Sequence, residues 1–136
     1  TTIEKVPARI KAAKENFKRY GKTDRICLLE GDAADVLTEL SAQGKQYEFI
    51  FMDAAKGQYL NFLPNILKML PENGMLITDN VLQDGDVIQS RYAINRRDRT
   101  IHGRMREYLY QLTHSEELDT VILPVGDGIT VSRRIK

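Results

Sequence analysis

The sequence has little that would tie it to an oxidising or a membrane setting. It holds one cysteine in 136 residues, Cys27, so no internal disulfide can form, and a lone thiol suits a reducing cytoplasm. No apolar run approaches the roughly 18 residues of a membrane-spanning helix, so no membrane partner is expected. There is no cluster of histidine and cysteine of the kind that holds zinc. The net charge of +1 argues neither for nor against a nucleic-acid partner. No repeat, low-complexity tract or linker interrupts the chain, so we expect residues 1–136 to form a single domain with one core. No secretion signal is visible. The chain opens on Thr1-Thr2-Ile3-Glu4, which reads as the middle of a strand without an initiator methionine, and the true N-terminus is expected upstream.

What is present alternates between short β-rich runs and helical patterns, the order of a parallel sheet with crossover helices. Thr2-Ile3 starts a strand. Pro7 opens a helix on which Ile10, Ala13, Phe17 and Tyr20 recur at helical spacing, and Gly21 stops it. Arg25 to Leu29 reads as the next strand, and Asp32 as the cap of a helix carrying Val36, Leu37 and Leu40. Tyr47 to Met52 is nearly all apolar, the pattern of a strand buried on both faces. A helix from about Gln58 to Leu70 contains an awkward Pro64. Met75 to Thr78 is a further strand, and a helical region ending near Thr113 puts Ile101, Met105, Tyr108 and Leu112 on one face. Thr120–Pro124 and Ile129–Arg133 read as a hairpin around Gly126-Asp127-Gly128. The expectation is an α/β chain with a mostly parallel sheet and a C-terminal antiparallel hairpin.

In such sheets ligands bind beyond the carboxyl ends of the strands. Four successive strands here end in acidic or amide groups: Glu4, Asp32, Asp53, and Asp79 with Asn80. Lys56 follows Asp53 by about one helical turn. If the strands ending in Asp53 and Asp79 are neighbours, two carboxylates and the Asn80 amide oxygen converge. That is a hard-cation site suited to Mg²⁺ and tolerant of Ca²⁺ or Mn²⁺. The plainer reading makes Asp53 and Asp79 caps or turn formers and Lys56 a solvated lysine.

The strings EFIFMDAAKGQY, GMLITDNVL and LPVGDGITVSRR resemble the cation-dependent O-methyltransferases of the catechol and caffeoyl-CoA type, along essentially the whole chain. The resemblance implies a Rossmann-like class I methyltransferase sheet that uses S-adenosylmethionine and a divalent metal, in a protein that is commonly a homodimer. It implies that Asp53, Asp79 and Asn80 are metal ligands and that Lys56 is the general base on the substrate hydroxyl. It also implies that Glu4 binds the ribose hydroxyls, Asp32 and Ala33 the adenine, and Asp53 the methionine end, with Tyr59 as a wall. The family carries a Gly-rich turn after a first, central strand, upstream of a strand like Thr2-Ile3-Glu4. That turn is absent here, so the N-terminal part with the central strand is expected to be missing from this chain.

The segment RYAINRRDRTIHGRMR holds Arg91, Arg96, Arg97, Arg99, Arg104 and Arg106 against one acid, Asp98. It reads either as a solvated helix face or as a contact for a phosphate backbone. It also resembles the bacterial branch that methylates 5-hydroxyuridine at the tRNA wobble position, which implies tRNA as partner, with Arg91, Arg96, Arg97 and Arg99 as contacts and Tyr92 as a stacking candidate. A small catechol or phenol is the alternative substrate. The alternative of another class is a catalytically idle, Rossmann-like RNA-binding module.

Overall fold

A computed structural model describes residues 1–90 and 92–136. They divide into two compact units, Thr1–Gln43 and Gly44–Lys136.

In the first unit β1 (Thr2–Glu4) leads to α1 (Pro7–Arg19), and β2 (Leu28–Glu30) to α2 (Ala33–Ala42). Pro7 sits in the first turn of α1, where a missing N–H breaks no helical bond. Asp32 caps α2 as expected, its carboxylate accepting the Ala34 N–H at 3.0 Å. The two strands pair in parallel, Glu4 opposite Glu30. β2 starts at Leu28 rather than Arg25, because the N–H groups of Arg25 and Ile26 both turn back to the Lys22 carbonyl.

The second unit holds β3 (Phe49–Met52), a 3-10 turn (Lys56–Gln58), α3 (Tyr59–Met69) and β4 (Met75–Thr78). A second 3-10 segment (Gln83–Ile88), α4 (Arg99–Thr113), β5 (Leu118–Leu123) and β6 (Ile129–Arg134) complete it. Its four-stranded sheet has the order β3-β4-β6-β5. β3 and β4 are parallel, and β6 is antiparallel to both β4 and β5, so the parallel part and the terminal hairpin appear as expected. Pro64 lies inside α3 on its exposed side, and the helix continues past it.

Burial alternates along these strands. Leu76, Thr78, Thr130 and Ser132 are buried, and α4 lies against their face: the Tyr108 hydroxyl meets Thr78 Oγ1 at 2.6 Å, and Thr120 Oγ1 lies 3.0 Å from the Leu112 carbonyl. On the opposite face Phe49 and Phe51 are 58% and 56% exposed. The strand expected to be buried on both faces is therefore covered on one, and Phe49 and Phe51 mark its open face. In α4 Met105, Tyr108 and Leu112 face inward as expected, joined by His102 and Leu109, whereas Ile101 is exposed. No helix among the described residues is long and apolar enough to cross a membrane.

Candidate active site

Asp53 directly follows β3 and Asp79 directly follows β4, and the two strands run side by side in register, Met52 opposite Thr78. The Asp79 N–H donates to the Met52 carbonyl at 3.0 Å, the last bond of the ladder. Beyond it the chains diverge. One enters the Ala54-Ala55-Lys56 turn. The other passes through Asn80, whose φ of 57° is the left-handed conformation that asparagine tolerates better than most residues.

The expected metal ligands are thus brought to one end of one parallel pair. Their oxygens are available: the Asp53 carboxylate and the Asn80 side-chain amide make no hydrogen bond or ion pair among the described residues, and Asp79 engages only Oδ1, with the Asn80 N–H at 2.8 Å. The Asp53 carboxylate, the remaining oxygen of Asp79 and an amide oxygen, with no ion-pair partner among the described residues, fit a hard divalent ion. No group of three or more His, Cys, Asp or Glu among the described residues would hold a metal, so the amide is needed as the third donor. Lys56 opens the 3-10 turn, half-buried and without a hydrogen bond or ion pair among the described residues.

Tyr59, expected as a wall toward the cofactor, is 1% exposed. Its hydroxyl accepts the Ala54 N–H at 3.4 Å and donates to the Asp79 carbonyl at 3.1 Å. Burial raises its pKa, the Ala54 N–H opposes that rise, and the charges of Asp53 and Asp79 reinforce it. Both carboxylates therefore act on one phenol. The Tyr59 ring meets Tyr108 edge-on, with centroids 5.4 Å apart. Sequence spacing gave Tyr108 only an apolar role, and nothing in the sequence pairs it with Thr78.

The remaining expected cofactor residues lie in the first unit. Glu4 Oε1 accepts the N–H groups of Lys5 and Val6, both at 2.8 Å, and Arg9 stands 3.8 Å from Oε2. The Val6 N–H, ahead of the Lys5 N–H and the charges of Arg9 and Lys5, holds its pKa below the usual carboxylate value against some desolvation. One oxygen is fixed by backbone, and the other can accept a hydroxyl. Asp32 is held low by the Ala34 N–H and by Lys5, whose ammonium is 3.0 Å from Oδ2. Ala33 is the first residue of α2.

The arginines split by use. Arg99 donates to the Ile94 carbonyl at 3.1 Å, Arg104 to Asn61 at 3.1 Å and Arg106 to the Val87 carbonyl at 3.2 Å. Arg97 touches only its neighbour Asp98, at 3.4 Å, and Arg96 makes no hydrogen bond or ion pair among the described residues. Arg91 lies outside the described residues. Tyr92 is 86% exposed.

Comparison with known proteins bears on the family and the fold. The chain is 34% identical over 123 residues to a caffeoyl-CoA O-methyltransferase of Eucalyptus gunnii, covering 88% of this chain and 49% of that protein. A Staphylococcus aureus structure, described provisionally as a caffeoyl-CoA O-methyltransferase, superposes with a TM-score of 0.85 at 30% identity, over 98% of this chain and 63% of that one. A Podospora anserina methyltransferase solved with SAH bound gives 0.82 at 30% identity, over 99% and 60%. These likenesses establish the α/β, Rossmann-like methyltransferase fold, and the chain spans about half the length of the curated relatives it matches. The O-methyltransferase family model matches residues 1–135, and the chain belongs to that family.

Proposed function

We propose that the protein containing this chain transfers a methyl group from S-adenosylmethionine to a hydroxyl, and that Asp53, Asp79 and Asn80 hold the divalent cation, Mg²⁺ in the first instance. The observation that carries this reading is the pairing of β3 with β4, which brings Asp53 and Asp79 to the same end of two adjacent strands with Lys56 just beyond one of them. When bound, the cation lowers the pKa of a hydroxyl placed against it. Lys56 takes the proton of that hydroxyl. An O–CH₃ bond then forms as the sulfonium S–CH₃ bond breaks, leaving a neutral thioether. Glu4, with one oxygen fixed by backbone, serves as acceptor for the ribose hydroxyls, and Asp32 and Ala33 flank the adenine. Positioning and charge placement supply most of the catalysis.

For the substrate we favour 5-hydroxyuridine at the tRNA wobble position, methylated in the cytoplasm by a homodimer. Arg96 and Arg97 support it: both are exposed and neither is engaged in holding the fold, as phosphate contacts require. A small phenol is the second reading, favoured by the caffeoyl-CoA enzymes among the relatives. Mass spectrometry of nucleosides from tRNA incubated with the full-length protein, S-adenosylmethionine and Mg²⁺ separates the two. Conversion of 5-hydroxyuridine to 5-methoxyuridine is expected; labelling of phenols alone would reverse the choice, and no transfer to either would leave the idle RNA-binding module.

A further inference from the structure

We propose that the Tyr59 hydroxyl is the positioning group that sets the spacing of the two carboxylate-bearing strand ends, and so the affinity of the cation site. This rests on the metal reading above. The last ladder bond joins Asp79 to Met52, and past it no backbone hydrogen bond among the described residues ties the Asp53 end to the Asp79 end. The Tyr59 hydroxyl closes that gap: it takes the N–H of Ala54, the residue after Asp53, and gives its proton to the carbonyl of Asp79 itself. One atom thus uses its acceptor and its donor capacity on the two backbones that carry the ligands.

The ring that carries this atom cannot swing away. It is 1% exposed, begins α3, and lies edge-on to Tyr108, whose own hydroxyl is held by Thr78. Oxygen ligands of a small cation must sit within a few tenths of an ångström of their places, and groups that orient ligands are worth about 10- to 100-fold in metal affinity. Tyr59 therefore acts through Asp53 and Asp79 rather than on a substrate.

The test compares Y59F with Y108F in the full-length protein, with Mn²⁺ alone as probe, read by paramagnetic resonance beside thermal unfolding. Both variants remove one buried hydroxyl, but only Y59F releases the two strand ends. Y59F is expected to weaken Mn²⁺ binding by about 10-fold or more, and Y108F to lower the melting temperature comparably with near-normal binding. Equal losses in the two variants would reduce Tyr59 to a structural residue and overturn the proposal, as would normal binding in Y59F. If the wild-type protein binds no Mn²⁺, the metal reading itself falls and takes the proposal with it. Amide exchange in the wild type needs no variant: the Ala54 N–H should be protected although it lies outside any strand or helix, and rapid exchange there would also overturn the assignment.

Discussion

The Val81 N–H donates to the Gly128 carbonyl at 3.0 Å, so the turn of the terminal hairpin grips the chain just after the Asp79-Asn80 pair. The neighbouring Leu82 N–H bonds to the Asp127 carbonyl at 2.9 Å. The Gly-Asp-Gly motif thus belongs to the site's scaffold, although the residues lie far apart in sequence. Gly128 has a φ of 80°, and a Cβ there would run into the Leu82 side chain. Gly128→Ala is expected to destabilise the fold by about 1–3 kcal/mol, measured by denaturant unfolding; a neutral substitution would show that Leu82 yields freely.

Asp79→Ala removes a carboxylate that, among the described residues, accepts only the Asn80 N–H. Activity and its dependence on Mg²⁺ should be lost while circular dichroism and unfolding stay close to wild type. Turnover still stimulated by Mg²⁺ would show that the cation is held elsewhere.

Lys56→Met keeps most of the side chain's length and removes its amine. S-adenosylmethionine binding by calorimetry should be unchanged, and the methyl-transfer rate should fall by about 10²- to 10⁴-fold, the usual range for a general base. An unchanged rate would assign the proton to another acceptor.

The arginines predict two different phenotypes. Arg96→Ala with Arg97→Ala should weaken tRNA binding with stability unaltered and reduce the slope of log affinity against log salt by about two. Arg104→Ala, which breaks the bond to Asn61, should instead cost about 1 kcal/mol of stability. An unaltered salt slope in the double variant would make Arg96 and Arg97 a solvated face.

Alkaline pH acts on Tyr59 and Tyr108, both raised above the usual 10.0, chiefly by burial. A phenol held neutral in the fold but free to ionise when unfolded contributes stability that is complete below the unfolded pKa. That contribution is lost as pH rises toward the folded one. Stability should therefore decline above about pH 10, and the decline should be shallower in Y59F and Y108F, read as unfolding free energy against pH. Identical slopes in wild type and variants would show that other groups control the alkaline limb.

The sequence by itself determined the order of strands and helices, the cap at Asp32, and the placing of Asp53 and Asp79 at strand ends. Those features follow from hydrophobic periodicity and capping chemistry, which are local. Even the misplaced start of β2 had a local cause, a turn closed on the Lys22 carbonyl that Arg25-Ile26-Cys27 does not advertise. Only the tertiary structure decided which face of β3 is covered, because that depends on which helices pack there and not on how apolar Phe49 and Phe51 are. It alone separated Arg96 and Arg97 from the arginines that brace the fold, since equal charges differ only in what they touch. And it alone found the Tyr59 bridge and the grip of Gly128 on Val81, since a hydrogen bond between distant residues leaves no periodic trace in the chain.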